Sequence, residues 1–156
     1  MQTFLPYRSY EETARALDFK RLNKQVIEGM QLCNVFLRRM GVLEDGKRGW
    51  ANHPVTKLWT LPTGDILLPE LAQYIDRCEA ERWTRPQCRK ATVWIERRDA
   101  VIKHCTRPPR TVIWSDELHL SHRRNLVRKD EGFYIPKFGK LDPAFEYNWQ
   151  HPIELI

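Results

Sequence analysis

The stretch from Tyr10 to Met40 reads YEETARALDFKRLNKQVIEGMQLCNVFLRRM, with no proline and a single glycine. A helix turns about 100° per residue, so its side chains can be placed on a wheel. Leu22, Val26, Met30, Cys33 and Leu37 fall on one side, an apolar face for a core. Asp18, Arg21, Gln25 and Glu28 fall within an arc of roughly 80° beside it. Lys20, Lys24, Gln31 and Arg38 make a third face. The stretch is expected to form one long helix with a core stripe, a mixed acid and base stripe, and a basic stripe. In plain terms the middle stripe is a solvated face of i,i+3 and i,i+4 pairs. The sharper reading places chemistry there.

Of the 156 residues, 42% are apolar, which suits one compact domain spanning 1–156. Lys and Arg number 26 against 20 Asp and Glu, a net charge of +6 that favours polyanionic partners, nucleic acid first. No signal peptide or transmembrane run is apparent, and a cytoplasmic monomer is expected. Cys33, Cys78, Cys88 and Cys105 are widely spaced with no CxxC pattern, so free thiols are expected rather than disulfides or a zinc site.

Met1 to Arg8, with Pro6, reads as an extended lead into the long helix. Ser9 and Glu12 form a capping-box pair, and Gly41 marks the helix end. Trp50-Ala51-Asn52-His53-Pro54 opens a short element with Val55, Leu58 and Trp59 facing inward. Asn52 and His53 precede that helix start, where backbone N–H groups attract anions; Asn52 as a mere cap is the bland alternative. A helix is expected from about Leu68 to Trp83, with Pro69 in its first turn. Another is expected from about Gln87 to Cys105, with Arg89, Lys90, Arg97, Arg98 and Lys103 outward. Ser115 caps a final helix ending near Asp130, with His119, His122 and Arg123 along one side. From Gly132 the chain reads as aromatic and turn-rich. The fold expected is all-α.

Between Leu118 and Lys140, Arg123, Arg124, Arg128, Lys129, Lys137 and Lys140 outnumber Asp130 and Glu131, and Phe133, Tyr134 and Phe138 interleave with them. Cations for phosphates beside aromatic faces for bases is a nucleic-acid-binding composition. The alternative is a solvated helix end followed by aromatics that plug the core. His119 and His122, with Asp116, are too few for a convincing metal site, and no metal or cofactor is expected.

Five segments, MQTFLPY, LDFKRLNKQVIE, GWANHP, SHRRNLVRKD and FYIPKFGK, occur in an order that resembles the pyrimidine-dimer DNA glycosylases of phage endonuclease V type, and their bacterial homologues in particular. The resemblance implies a compact helical domain that removes damaged bases from double-stranded DNA. It implies an N-terminal amine as nucleophile and a glutamate on the first long helix, here Met1 and Glu28. Arg21 stands where the family has a histidine. The late basic position falls on Arg123 or Arg124, and the aromatic-basic loop on Tyr134, Lys137 and Lys140. Lys24, Gln25, Asn52, His53, His122 and Lys129 complete the expected DNA contacts. Gln2 is too large for ordinary methionine removal, so either the amine of Met1 itself takes the nucleophile's role or the lyase half of the activity is absent. Such an amine attacks the sugar C1′, the base departs, and a Schiff base permits β-elimination. A nearby carboxylate stabilises positive charge on the sugar and moves protons. The rivals are a non-catalytic DNA-binding module of the same fold and a protein whose basic face meets an acidic partner.

Overall fold

A computed structural model describes residues 1–88, 93–142 and 144–156. The stretch expected as one helix is two. α1 spans Tyr10–Ala16 and α2 spans Phe19–Arg39. Leu17 is extended and fully buried between them. The break is made by Asp18, whose carboxylate accepts the backbone N–H groups of Lys20 and Arg21 at 2.9 and 3.1 Å. A carboxylate satisfying first-turn donors starts a new helix more firmly than propensity continues an old one. The Arg85 guanidinium takes the freed carbonyls of Ala14 and Arg15 at 3.1 and 2.9 Å. Ser9 caps α1 as expected, accepting the Glu12 N–H at 3.3 Å. α2 ends in a Schellman turn, with Gly41 at φ 71° and the N–H groups of Gly41 and Val42 on the carbonyls of Arg38 and Leu37.

The expected apolar stripe of α2 is buried and meets α4, Leu68–Thr84. α1 also lies on α4, and α5, Val93–Ile102, packs on α4 and α2. Of the helix expected from about Gln87 to Cys105, residues 89–92, with Arg89 and Lys90, lie outside the described residues, Gln87 and Cys88 are in a turn, and 103–105 follow the helix end. α3 is one turn, Val55–Leu58, with Val55, Leu58 and Trp59 inward as expected. Tyr10, Trp59, Tyr74 and Trp114 meet with ring centroids 5.3 to 6.2 Å apart, so much of the aromatic content fills the core.

α6 spans Asp116–Lys129 with Ser115 as its cap. The next stretch is not a series of turns but a helix, α7, Glu131–Phe138, despite Pro136. Asp130 starts it by accepting the Phe133 N–H at 3.1 Å. The segment after α7 runs back past α6, where the Asn148 N–H meets the Ser121 hydroxyl at 3.3 Å. It ends in β2, Glu154–Leu155, antiparallel to β1, Val112–Ile113. Apart from that two-residue ladder the described architecture is helical, as expected.

Gly29 lets α2 approach α4. A Cβ there would sit 2.6 Å from Ile75 Cγ1 and 2.9 Å from Cδ1. Ile75 is fully buried and cannot swing away. Gly29→Ala is therefore expected to lower stability by about 1–2 kcal/mol, the clash outweighing the gain in helix propensity. Thermal melts check this, and combination with Ile75→Ala should cost less than the sum of the two changes.

Candidate active site

The first residues of the chain are threaded into the protein as an extended strap. The Gln25 side chain on α2 accepts the Phe4 N–H at 2.8 Å, and the Tyr74 hydroxyl shares its one proton between Gln25 Oε1 at 2.7 Å and the Phe4 carbonyl at 2.9 Å. Leu5 is gripped from both sides by α6. Its N–H donates to His122 Nδ1 and its carbonyl receives His119 Nδ1–H, each at 2.7 Å. Accepting at Nδ1 assigns His122 as a neutral imidazole, and donating to a carbonyl places a proton on His119 Nδ1; burial pushes the His122 pKa down to about 3 and that of His119 downward. Arg123 Nε donates to the Pro6 carbonyl at 2.7 Å, with its guanidinium over the Tyr7 ring at 4.8 Å. Trp59 Nε1 donates to the Thr3 hydroxyl at 2.9 Å.

The strap leads residue 2 to Glu28. The Gln2 N–H donates to Glu28 Oε2 at 3.1 Å. The α-nitrogen of Met1 is three bonds from that donor, so it is held within about 4 Å of it. Its charge acts on both Glu28 and His53, opposing the rise that burial causes in the Glu28 pKa and adding to the fall that burial causes in that of His53. A cleft of about 220 Å³ opens here, lined by Gln2, Phe4, Lys20, Arg21, Lys24, Gln25, Glu28 and Lys129. Burial is the main influence on Glu28 and raises its pKa, opposed by the Gln2 N–H, the terminal amine, Lys24 and Lys129. Lys129 is shifted the other way, downward, by burial and by Arg21, Arg128 and Lys24. A carboxylate that holds a proton more readily and an ammonium that sheds one more readily face the same small space. A larger hollow of about 550 Å³ lies by α4 and α5, but its Arg98 and Asp76 are paired with each other.

A third wall is aromatic. The Tyr147 ring stacks on His122 at 5.1 Å, and Tyr147–Trp149 and Trp149–His53 follow at 4.5 and 5.7 Å. The Gln2 side chain bonds the Tyr147 hydroxyl and accepts from Asn125 Nδ2 at 3.3 Å. Tyr147 and Trp149 were not singled out from the sequence, and nothing local to FEYNWQ marks them.

Several expected contacts have other work. His122 and Gln25 are fully buried, clasping the strap rather than offering side chains to a ligand. Tyr134 is also fully buried, exchanging hydrogen bonds with Asp18. Arg123 is tied to Pro6. Arg21 lies on the cleft rim, but its partners are Asp18 at 3.2 Å, Asp130 at 3.9 Å and the Lys129 carbonyl at 3.3 Å, so Glu28 draws its positive neighbours from elsewhere. His53 Nδ1 caps α3 through the Val55 N–H at 3.1 Å, taking the role considered for Asn52, which is exposed. Lys137 and Lys140 are exposed beyond the cleft lining, Lys137 with its ammonium 4.9 Å from the Phe133 ring centroid. Arg124 is half-buried, and its Nε is enclosed without a hydrogen-bond partner among the described residues. Lys24 and Lys129 stand in the cleft wall.

A mainly helical domain thus holds its first residues against the half-buried Glu28 carboxylate, with Lys20, Arg21, Lys24 and Lys129 lining the same cleft. The chain belongs to the pyrimidine dimer DNA glycosylase family, which matches residues 1–90, the strap and α1 to α4. Glu28 and Arg21 lie inside that match; α6 with Lys129 lies beyond it. No curated protein and no solved structure matches the chain. The family acts on DNA, and among the described residues no helix is long and apolar enough to cross a membrane.

Proposed function

We propose that this glycosylase excises a damaged or modified pyrimidine by covalent catalysis, with the α-amine of Met1 as nucleophile and Glu28 as proton carrier. The hydrogen bond from the Gln2 N–H to Glu28 carries the reading, because it fixes the start of the chain on the carboxylate. The unprotonated amine attacks C1′ as the glycosidic C–N bond breaks, and the base leaves with the electron pair and takes up a proton. Opening of the sugar gives an imine to Met1. Loss of a C2′ proton then expels the 3′ phosphate, so abasic-site lyase activity accompanies excision. Glu28, its pKa raised by burial, donates and recovers protons near neutral pH more readily than an exposed glutamate. Lys24 and Lys129 complement the flanking phosphates.

A screen of duplexes carrying different damaged and modified pyrimidines tests the reading, with base release and strand nicking scored separately. Release from at least one lesion is expected; binding without release from every lesion favours the non-catalytic module. Lys129→Ala and Arg124→Ala are each expected to weaken DNA binding regardless of sequence and to lower the salt slope by about one. Salt titrations check this, and an unchanged slope in both variants marks these side chains as solvated surface.

A further inference from the structure

We propose that the hollow beside Trp50 is a second nucleotide subsite, which receives the face of one base flanking the excised one on Trp50 and its phosphate on Lys47 and Arg48. This rests on the chain acting on DNA as a glycosylase and adds a site outside the catalytic cleft. The hollow measures about 510 Å³ and is lined by Gln31, Asn34, Arg38, Lys47, Arg48, Gly49 and Trp50. Trp50 has φ 68°, the one positive-φ non-glycine among the described residues. That conformation is strained for a bulky side chain and ordinary for glycine. The turn therefore gains nothing from tryptophan, and neither does the core, because Trp50 is 46% exposed. Surrounding contacts hold the strained residue in place. Arg39 donates to the Ala51 carbonyl at 2.5 Å, the His53 N–H donates to the Trp50 carbonyl at 3.1 Å, and the Trp50 ring meets His53 edge-on at 5.0 Å. Strain maintained in this way is characteristic of ligand clamps.

The chemistry of the hollow selects a nucleotide. An indole face stacks on any base, and cations beside it neutralise a phosphate. Arg38 is occupied by Asp45 through two bonds of 2.7 Å and serves as a wall. Among the described residues neither Lys47 nor Arg48 forms a close ion pair, and Asp45, held by Arg38, is the acid that feels the Lys47 charge. The exposed Gln31 carboxamide can meet a base edge. Position ties the hollow to the cleft. Gln31 is about 5 Å and Arg38 about 15 Å beyond Glu28 along the α2 axis, a reach of roughly one to five nucleotides along a strand. The ring sequence Trp50, His53, Trp149, Tyr147 forms a continuous wall from this hollow to the Gln2 side chain.

Binding to a duplex containing a tetrahydrofuran abasic-site analogue tests the proposal without requiring excision. One base at a time is deleted within five positions on either side, and opposite the analogue. Deletion of one flanking base should weaken wild-type binding about tenfold, the scale of one base–aromatic stack. Trp50→Ala should lose about tenfold on the intact duplex and nothing further on that deletion, while Trp50→Phe retains most of the affinity. The double variant Lys47→Ala, Arg48→Ala should lower the salt slope by about two. Trp50→Gly relieves the backbone, so its Tm should equal or exceed wild type while its affinity falls as for alanine. Equal losses by wild type and Trp50→Ala at every position overturn the proposal, as does coupling only at the base opposite the analogue, or a Tm loss in Trp50→Gly with affinity intact. Excision without coupling removes the subsite and leaves the catalytic reading; coupling without excision does the reverse.

Discussion

Glu28→Gln is expected to lower base excision by on the order of a hundredfold or more while the protein still folds and binds an abasic-site analogue. Glutamine keeps an oxygen to accept the Gln2 N–H, so the strap retains its anchor. What disappears is the group that stores charge and moves a proton. The effect on stability has a definite sign. Burial raises the folded-state pKa of Glu28, so its protonated form is favoured by folding. That contribution is fully present below the ordinary glutamate pKa and is lost as pH rises through the folded value. At neutral pH the glutamine variant should therefore melt no lower than wild type. Single-turnover excision, titration of the abasic analogue and thermal melts across pH separate these effects. A variant that unfolds would make Glu28 part of a structural ion pair, and one that excises at the wild-type rate would remove it from the reaction.

The sequence showed the angular layout of α2 and concealed who answers each side chain. The wheel placed Asp18, Arg21, Gln25 and Glu28 together, and Arg21, Gln25 and Glu28 do line the cleft. Yet Asp18 is a helix cap and Gln25 a clasp for Phe4 and Tyr74, because a wheel knows direction and not what packs opposite. The break before α2 was written in Asp18 itself, an N-cap residue hidden inside an otherwise uninterrupted helical pattern. The basic and aromatic composition from Leu118 to Lys140 pointed to DNA but did not tell inward from outward. His122 and Tyr134 face in, where imidazole and phenol satisfy backbone and carboxylate groups that would otherwise be buried unpaired. Lys129 shares the cleft with Glu28 because the end of α6 meets the start of α2, where Arg21 bonds the Lys129 carbonyl, a contact between distant parts of the chain that no local spacing encodes. α7 was obscured by Gly132, Pro136 and Gly139, which resemble turn signals, while Asp130 supplied the cap that made a helix possible.

Blocking the α-amine is expected to abolish covalent trapping. When the protein is incubated with a lesion-bearing or abasic duplex and borohydride, reduction of the imine should leave a stable protein–DNA adduct, and peptide mapping should place it on Met1. Acetylation of that amine, or an N-terminal tag, should eliminate the adduct and the β-elimination product together. The expectation follows from geometry, since the strap delivers residue 2 to Glu28 and leaves the amine only one residue of freedom. It also follows from charge, since the amine's positive charge is felt by Glu28 and His53 alike. The cleft holds a second candidate amine. Lys129 lines the same space, and burial together with Arg21 shifts its pKa downward, the direction that activates a lysine nucleophile. The mapped position of the adduct decides between them. An adduct on Lys129 that survives acetylation of Met1 would transfer the nucleophile to α6 and leave the strap as its positioning element. Full base release by the tagged protein with no adduct anywhere would sink the covalent mechanism, leaving Glu28 to activate water.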